Sequence, residues 1–280
     1  MPPGLYIVAT PIGNLGDISL RALWTLSHAD RIACEDTRLS GALLAHYGIK
    51  KPLLPYHDHN ADKVRPQIMQ QLKEGESIVL ISDAGMPLIA DPGFKLVREC
   101  RAQGINVTVI PGANAALTAL AGSGLPTDHF YFAGFLPPKP AARKKAIEEL
   151  SPIPSTLVIF EAPQRLADAL DDLAQGLGAS RSAAVARELT KMFEETKLAT
   201  LGELTVYYRE HPAKGEIVIV VAPPEKKAEK TDTALIDNLL RDTLRTQTLR
   251  DAVAAVSEAT GARKTEVYAR ALGLKGKPGK

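Results

Sequence analysis

The sequence predicts an α/β fold: two α/β domains in succession, then a small helical, helix-turn-helix-like domain. Three observations carry this reading. Short β-branched runs alternate with segments whose apolar residues recur at helical spacing. Two loops rich in Gly, Pro and Asp, within residues 5–23 and 78–97, each follow an apolar run and lead into a helical pattern, the strand-loop-helix unit of such folds. From residue 222 a polar, charged stretch, APPEKKAEKTD, separates this body from a tail that has helical patterns only.

In chain order, strands are expected at Leu5–Thr10, Arg31–Cys34, Ser77–Ser82 and Val107–Ile110, with helices at Leu39–Tyr47, Val64–Lys73 and Phe94–Ala102 among them. Such alternation favours a mostly parallel sheet. PGANAALTALAGSGLP, residues 111–126, reads as a Gly- and Ala-rich helix suited to close packing, and the first domain is drawn as 1–120. A second α/β domain, 121–224, follows from the apolar runs Phe130–Ala133, Thr156–Phe160, Ala183–Arg187 and Glu216–Val221, with helices at Ala141–Leu150 and Arg165–Gly176. The helical domain, 232–275, holds ALIDNLLRDTL, LRDAVAAVSEATG and KTEVYARALG, with Gly261 as a stop signal and Thr265 as a candidate cap. The KGKPGK end has the composition of disordered chain.

With 280 residues, 45% of them apolar and 24% charged, the composition is that of a globular protein able to form sizeable cores. No apolar run approaches the roughly 18 residues that span a bilayer, and MPPG leads into the first strand without a charged n-region, so a cytoplasmic protein without membrane contact is expected. Cys34 and Cys100 sit in apolar contexts and read as reduced interior thiols. Residues 225–280 hold 12 Lys and Arg against 8 Asp and Glu, which leaves 22 against 24 on the remainder. A basic appendage on a near-neutral body is either a solvated face or a contact for a polyanion.

Ligands of parallel α/β sheets sit beyond the carboxyl ends of the strands, which puts both Gly/Pro/Asp loops at a small-molecule site. Neither loop contains GxGxxG or GxxxxGK[ST], so the usual reasons to expect a dinucleotide or a triphosphate are missing. ACEDTR puts Glu35, Asp36, Thr37 and Arg38 at a strand end, where Asp36 fits a helix cap paired with Arg38 as well as it fits a reactive group. Glu161 of FEAPQR and the Arg187 and Glu188 pair of ARELTK end later strands, and Arg165 is one helical turn past Glu161. Buried ion pairs and a reactive site read alike at such positions. YHDHN offers His57, His59 and Asn60 with no Cys or third histidine nearby, so no metal is expected. FLPPKPAARKK joins prolines to Lys139, Arg143, Lys144 and Lys145, a cationic loop that suits phosphates or simply a solvated helix start.

Nine strings in order, VATPIGNLGDIS, ACEDTR, YHDHN, SDAGMPLIADPG, PGANA, FLPPKPAARKK, FEAPQR, ARELTK and KGEIVIVV, give the chain its family likeness. From Leu5 to about Pro223 it resembles the tetrapyrrole methylase superfamily of S-adenosylmethionine-dependent methyltransferases. Its first loop, ATPIGNLGD, stands where tetrapyrrole-modifying members carry a GTGPGDP type, and with the helical tail it resembles the branch that acts on ribosomal RNA.

The resemblance implies two α/β domains of tetrapyrrole methylase type with the cofactor cleft between them, and S-adenosyl-L-methionine as cofactor. It implies 2'-O-methylation of a decoding-region cytidine of 16S ribosomal RNA, within the small ribosomal subunit, by a homodimer that uses no metal. It places Pro11, Asp83, Ala84, Gly85, Leu88, Ile89, Phe160, Ala162, Ala186, Gly215 and Glu216 at the cofactor. In that set Gly85 permits close backbone approach, and Leu88 and Ile89 suit the wall of an adenine site. Asp36 is the expected base or orienting residue, with Arg187 and Glu188 in the same catalytic set. Arg38, His57, Asn60, Lys139, Arg143, Lys144, Lys145 and Arg165 are expected on the RNA. Two alternatives stay open: methylation of a tetrapyrrole or a modified protein side chain, and a nucleic-acid-binding protein that only senses S-adenosylmethionine.

Overall fold

The computed structural model describes residues 1–224 and 233–275, in two compact units divided between Pro224 and Glu225. In the first unit β1 (Gly4–Val8), β2 (Arg31–Cys34), β3 (Leu53–Pro55), β4 (Ser77–Leu80) and β5 (Val107–Ile110) form one sheet in the order β3-β2-β4-β1-β5. Every pairing in it is parallel. Helices α1 (Leu20–His28), α2 (Thr37–His46), α3 (Ala61–Lys73) and α4 (Phe94–Ala102) connect the strands. Side chains alternate across a strand, and β1 shows the consequence: Leu5 and Ile7 enter a core with Leu80 and Leu96, while Tyr6 and Val8 enter another with Leu26 and Ile32. A parallel sheet covered on both faces needs such continuous apolar runs. Cys34 and Cys100 are buried and unpaired.

A second sheet holds β6 (Phe130–Phe135), β7 (Thr156–Glu161), β8 (Ser182–Arg187), β9 (Glu195–Thr200) and β10 (Ile217–Val221), in the order β6-β7-β10-β8-β9. It is mixed: β6 and β7 are parallel, whereas β10 runs against both β7 and β8. Ile217, the first residue of β10, therefore pairs with Glu161 and Arg187, the last residues of its neighbours. Helix α5 (Ala115–Gly122) packs on this sheet through Ala116, Ala119 and Leu120 against Val158, Ala184 and Val218, so residues 120 and 121 lie within one helix. The opposite face is covered by α6 (Pro140–Leu150), α7 (Leu166–Leu177) and α8 (Leu201–Glu210), around Ile147, Leu170, Leu204 and Ile219.

Three elements lie outside the sequence reading. β3 is three residues long and ends in a proline at the sheet edge, where periodicity has little to show and a missing N–H is tolerated. β9 is the other sheet's edge strand, and its six residues, ETKLAT, do not alternate polar with apolar, so no period-two signal marks it. α8 is rich in β-branched and aromatic residues, yet it opens with a capping box in which Thr200 and Glu203 satisfy each other's backbone N–H groups. That T-x-x-E signal was legible.

Arg143 departs from its expected place on RNA. It is 5% exposed, and its Nε donates to Asp172 Oδ2 at 2.7 Å, tying α6 to α7. The helical spacing of PAARKKAIEEL turns Arg143, Ile147 and Leu150 inward together, which leaves Lys139, Lys144 and Lys145 exposed.

The second unit has α9 (Thr233–Thr243), α10 (Leu249–Thr260) and α11 (Lys264–Lys275) around Ile236, Leu240, Val253, Val256 and Val267. Gly261 closes α10 in the left-handed conformation, φ 69°, as its stop signal predicted. Helix α11 starts at Lys264, so Thr265 lies in its first turn and is not the cap. Arg270 grips Asp237 with two hydrogen bonds of 2.8 and 2.7 Å, joining α11 to α9. Residues 225–232 of the expected linker and residues 276–280 of the expected disordered end lie outside the described residues. Among the described residues no helix is long and apolar enough to cross a membrane.

Removing one partner of a buried ion pair costs about 3–5 kcal/mol where the other charge is stranded, and here Lys144 Nζ, 3.5 Å from Asp172 Oδ1, offsets only part of that loss. R143M is therefore expected to lower the melting temperature by on the order of 10 °C, while K145A changes it by less than about 2 °C; differential scanning calorimetry reads both.

Candidate active site

A cavity of about 350 Å³ opens where the strand ends of the two sheets face each other, within the size range of small-molecule sites. The first sheet contributes Ile12 after β1, Ala84–Met86 and Ile89–Asp91 after β4, and Asn114 and Ala115 at the start of α5. The second contributes Phe135, Phe160–Pro163, Leu189 and Gly215–Val218. The reversed direction of β10 brings the last three segments together, because its beginning lies between the ends of β7 and β8.

Two loops make the floor by bonding to each other. Thr10 N–H donates to the Gly85 carbonyl at 2.9 Å and Gly85 N–H returns to the Thr10 carbonyl at 3.1 Å. Thr10 Oγ1 donates to the Ser82 carbonyl at 3.1 Å, and Ser82 Oγ to the Gly85 carbonyl at 3.2 Å. These bonds also explain why β1 and β4 end at Val8 and Leu80, two residues before the expected limits: the chains leave the ladder to join each other. Gly85 has φ +86°, and a Cβ there would stand 3.0 Å from Ile12 Cγ2.

Beyond Gly85, Leu88 and Ala90 occupy the left-handed region at φ 72° and 65°, a strained turn for side chains with a Cβ. The turn presents Ala84, Gly85, Met86, Ile89, Ala90 and Asp91 to the cavity and sends Leu88 into the first core. Of the expected cofactor residues, Ala84, Gly85, Ile89, Phe160, Ala162, Gly215 and Glu216 line the cavity. Pro11, Asp83, Leu88 and Ala186 do not. Ala186 is fully buried in the sheet behind it, Pro11 is buried beside Ile12, and Asp83 accepts the Asp36 N–H at 3.2 Å.

A clasp holds the second half to the first loop. Glu188, itself at φ 50°, accepts the Glu216 N–H at 3.0 Å and Lys191 Nζ at 2.9 Å through Oε1, and Lys191 also reaches Glu216 Oε2 at 3.3 Å. The Lys191 hydrogen bond, then that from Glu216 N–H, holds the Glu188 carboxyl below its ordinary range. The lysine stem lies over Gly13, where a Cβ would meet Lys191 Cγ at 2.5 Å. Lys191 is thus a structural centre that the sequence reading passed over. Arg187 instead pairs with Glu195 of β9 at 2.7 Å.

The carboxylates near the strand ends are in opposite electrostatic states. Asp36 caps α2, accepting Arg38 N–H at 2.8 Å and Arg38 Nη2 at 2.8 Å, and the Arg38 hydrogen bonds pull it down to about 2. Asp91, on the cavity wall, is pushed up to about 6, first by burial and then by Glu35, Asp83 and Asp58, against the pull of the Ser82 hydroxyl. Burial likewise raises Glu35. The sequence marked Asp36 and not Asp91, although DPG after a strand-end loop was visible.

The remaining expected RNA contacts divide. Arg38 is exposed but paired with Asp36, and Lys139, Lys144 and Lys145 are exposed. Asn60 closes the turn after β3, with Oδ1 accepting His57 N–H at 2.9 Å and Nδ2 donating to the Pro55 carbonyl at 3.0 Å. His57 is half-buried, and Arg165 is bound to Glu161, with Nε on Oε1 at 2.8 Å.

Two facing sheets with an apolar-walled cleft, followed by a three-helix unit, have the architecture of a tetrapyrrole-type methylase with an appended helix-turn-helix domain. The family described as Tetrapyrrole (Corrin/Porphyrin) Methylases matches residues 4–205, and the RsmI C-terminal HTH domain matches residues 230–275. Ribosomal RNA small subunit methyltransferase I of Mesorhizobium japonicum is 48% identical over 276 residues, covering 98% of this chain and 93% of its own length. The protein of the same name from Haemophilus influenzae is 45% identical over 270 residues, 94% of each chain. Uroporphyrin-III C-methyltransferase from Thermus thermophilus, complexed with S-adenyl homocysteine, shares the fold with a TM-score of 0.54 at 17% identity, over 78% of this chain and 97% of its own. The chain belongs to the tetrapyrrole methylase family and, within it, to the ribosomal RNA small subunit methyltransferase I family.

A Cβ on Gly215 would fall 2.2 Å from the Glu188 carboxyl at a backbone φ of +86°. G215A is expected to expel Glu188 and release the Glu216 N–H, costing about 2–4 kcal/mol. G48A, also at positive φ but with open space around it, isolates the backbone term and should cost about 1–2 kcal/mol. Urea titration of both variants separates crowding from backbone strain.

Proposed function

We propose that this protein transfers a methyl group from S-adenosyl-L-methionine to the 2'-hydroxyl of a cytidine in the decoding region of 16S ribosomal RNA, on the small ribosomal subunit. The observation that carries the reading is likeness at 45–48% identity across nearly the whole chain, tail included, to proteins named for ribosomal RNA small subunit methylation. Support for the cofactor comes from the cleft. Its walls are Ile12, Ile89, Phe160, Leu189 and Val218, its close-approach points are Gly85 and Gly215, and its polar groups are few. S-adenosyl-L-methionine supplies an electrophilic methyl group. In this reading Ala84, Gly85, Ile89, Phe160, Ala162, Gly215 and Glu216 hold it, with Leu88 and Ala186 shaping the wall from behind.

A hydroxyl that receives a methyl group must give up its proton, and the acceptor should be a group whose affinity for protons is not already spent. Asp36, held at about 2 by Arg38, is a weak acceptor and serves to fix α2. Asp91, near 6 and on the cavity wall, is the base of this proposal. Glu188 and Arg187 act as positioning residues, one on the Glu216 backbone and the other on β9. Arg38, Lys139, Lys144 and Lys145 meet RNA phosphates, joined by His57 and the basic tail. Exposed Leu20 and Trp24, one turn apart on α1, together with exposed Met192 and Phe193, support a homodimer. The site of action is the cytoplasm.

The test is transfer of labelled methyl groups to small subunits from cells lacking this protein, beside free ribosomal RNA and a tetrapyrrole precursor. Label in subunit RNA at an alkali-resistant dinucleotide is expected; label only in the tetrapyrrole overturns the proposal.

The base assignment has a pH signature of known sign. Single-turnover methylation should rise with pH through about 6 as Asp91 ionises and then level, and D91N should lose this limb and at least about 100-fold in rate. The folded state holds the Asp91 proton more tightly than the unfolded chain, whose value is 3.8, so burial of the ionised carboxylate destabilises the fold above pH 6 and not below pH 3.8. D91N is therefore expected to raise the melting temperature at pH 8 by a few degrees, corresponding to about 1–3 kcal/mol, and to give no gain at pH 4.

A further inference from the structure

The buried carboxylate of Glu161 has one oxygen fully engaged and one with nothing to bond. Oε1 accepts Ala162 N–H at 2.7 Å and Arg165 Nε at 2.8 Å, and forms an ion pair with Arg165 Nη2. Arg165 is held from the other side by the Leu136 carbonyl at 3.4 Å. Oε2 is shielded from solvent and has no hydrogen-bond partner, and the whole side chain is 0% exposed. Glu161 is also a wall residue of the cleft, at the end of β7, opposite Ile217 in the ladder.

An unpaired oxygen on a buried carboxylate is costly, because desolvation is incurred and no bond replaces the lost water. An ion pair with Arg165 alone does not require it, since a bidentate pairing would satisfy both oxygens. Here three donors converge on Oε1, which leaves Oε2 as a preset acceptor in the wall. The last torsion of a glutamate is broad, so a modest turn can aim Oε2 at a ligand donor; Oε1 turns with it, and Arg165, which approaches it through two nitrogens, can follow and keep the pair.

The geometry points to Glu161 as a cofactor-recognising residue that accepts, through Oε2, one N–H or O–H donor of the bound S-adenosyl compound. Arg165 is then the positioning residue that aims it, and not an RNA contact. This rests on the cofactor reading of the cleft. It gives the site a selectivity that apolar walls lack, because a ligand without that donor would leave the oxygen buried and unpaired.

Isothermal titration with S-adenosylhomocysteine tests it without turnover. E161Q, which can turn an amide donor where Oε2 accepted, should weaken binding by about 10- to 100-fold. E161D, which keeps the charge beside Arg165 and retracts the free oxygen, is the companion variant and should shift affinity in the same direction. Analogues that each lack one donor, the ammonium, a ribose hydroxyl or the adenine amine, identify the partner: for one of them the Glu161 variants should add no further loss. Wild-type affinity in both variants, or an equal loss with every analogue, overturns the assignment and leaves Glu161 as a structural ion pair. Failure of the wild-type protein to bind either S-adenosylmethionine or S-adenosylhomocysteine would instead remove the cofactor reading, and this assignment with it.

Discussion

The antiparallel entry of β10 between β7 and β8 is the constraint on which the cleft depends. Parallel strands release their chains at one end of a sheet, and an antiparallel neighbour starts where they finish. Ile217 is thereby paired with both Glu161 and Arg187, and the segments FEAPQR, ARELTK and KGE meet although at least twenty residues of sequence separate each from the next. On the other side, the reciprocal backbone bonds of Thr10 and Gly85 do the same for the two loops of the first sheet. A site assembled this way is fixed by main-chain hydrogen bonds, whose geometry side-chain substitutions at the surface do not alter.

Charge in and around the cleft is organised by pairing. Glu188 and Glu216 share Lys191, Glu161 has Arg165, and Asp36 has Arg38. Each paired carboxylate is committed to holding a loop, a strand end or a helix start. Asp91 has no such cation; its neighbours Glu35, Asp83 and Asp58 push it the other way. Two carboxylates in one site can thus have different tasks because their surroundings separate their proton affinities.

Much of this was legible. The central strands are continuous apolar runs, and β2 and β5 were placed to the residue, as was α4. The seven residues expected at the cofactor that do line the cavity are marked by position after a strand or by family likeness, and Asp36 fulfils the capping alternative its spacing allowed. What was hidden depended on tertiary direction. Arg143 reads as one cation in a basic run, but helical phase turns it toward Asp172, twenty-nine residues away. Leu88 reads as a wall of the site until a left-handed turn sends it into the core. Lys191 matters only because the first loop passes beneath its stem, and Asp91 because burial and three acidic neighbours act together. None of these is a property of a residue and its sequence neighbours alone.

The acidic surroundings of Asp91 bear on how a polyanion would use the cleft. Glu35, Asp58 and Asp83 repel phosphates, so the ribose must be admitted while its backbone is held off the strand ends. Affinity for RNA then has to come from cations set apart from the reacting groups. The exposed Lys139 and Lys145 fit that requirement, whereas Lys144, Arg165 and Lys191, each within reach of a carboxylate, fit it less well. On the proposed reading, acidic groups about the cleft favour a cationic sulfonium ligand, and salt weakens RNA binding, carried by exposed cations, far more than it weakens binding in the cleft.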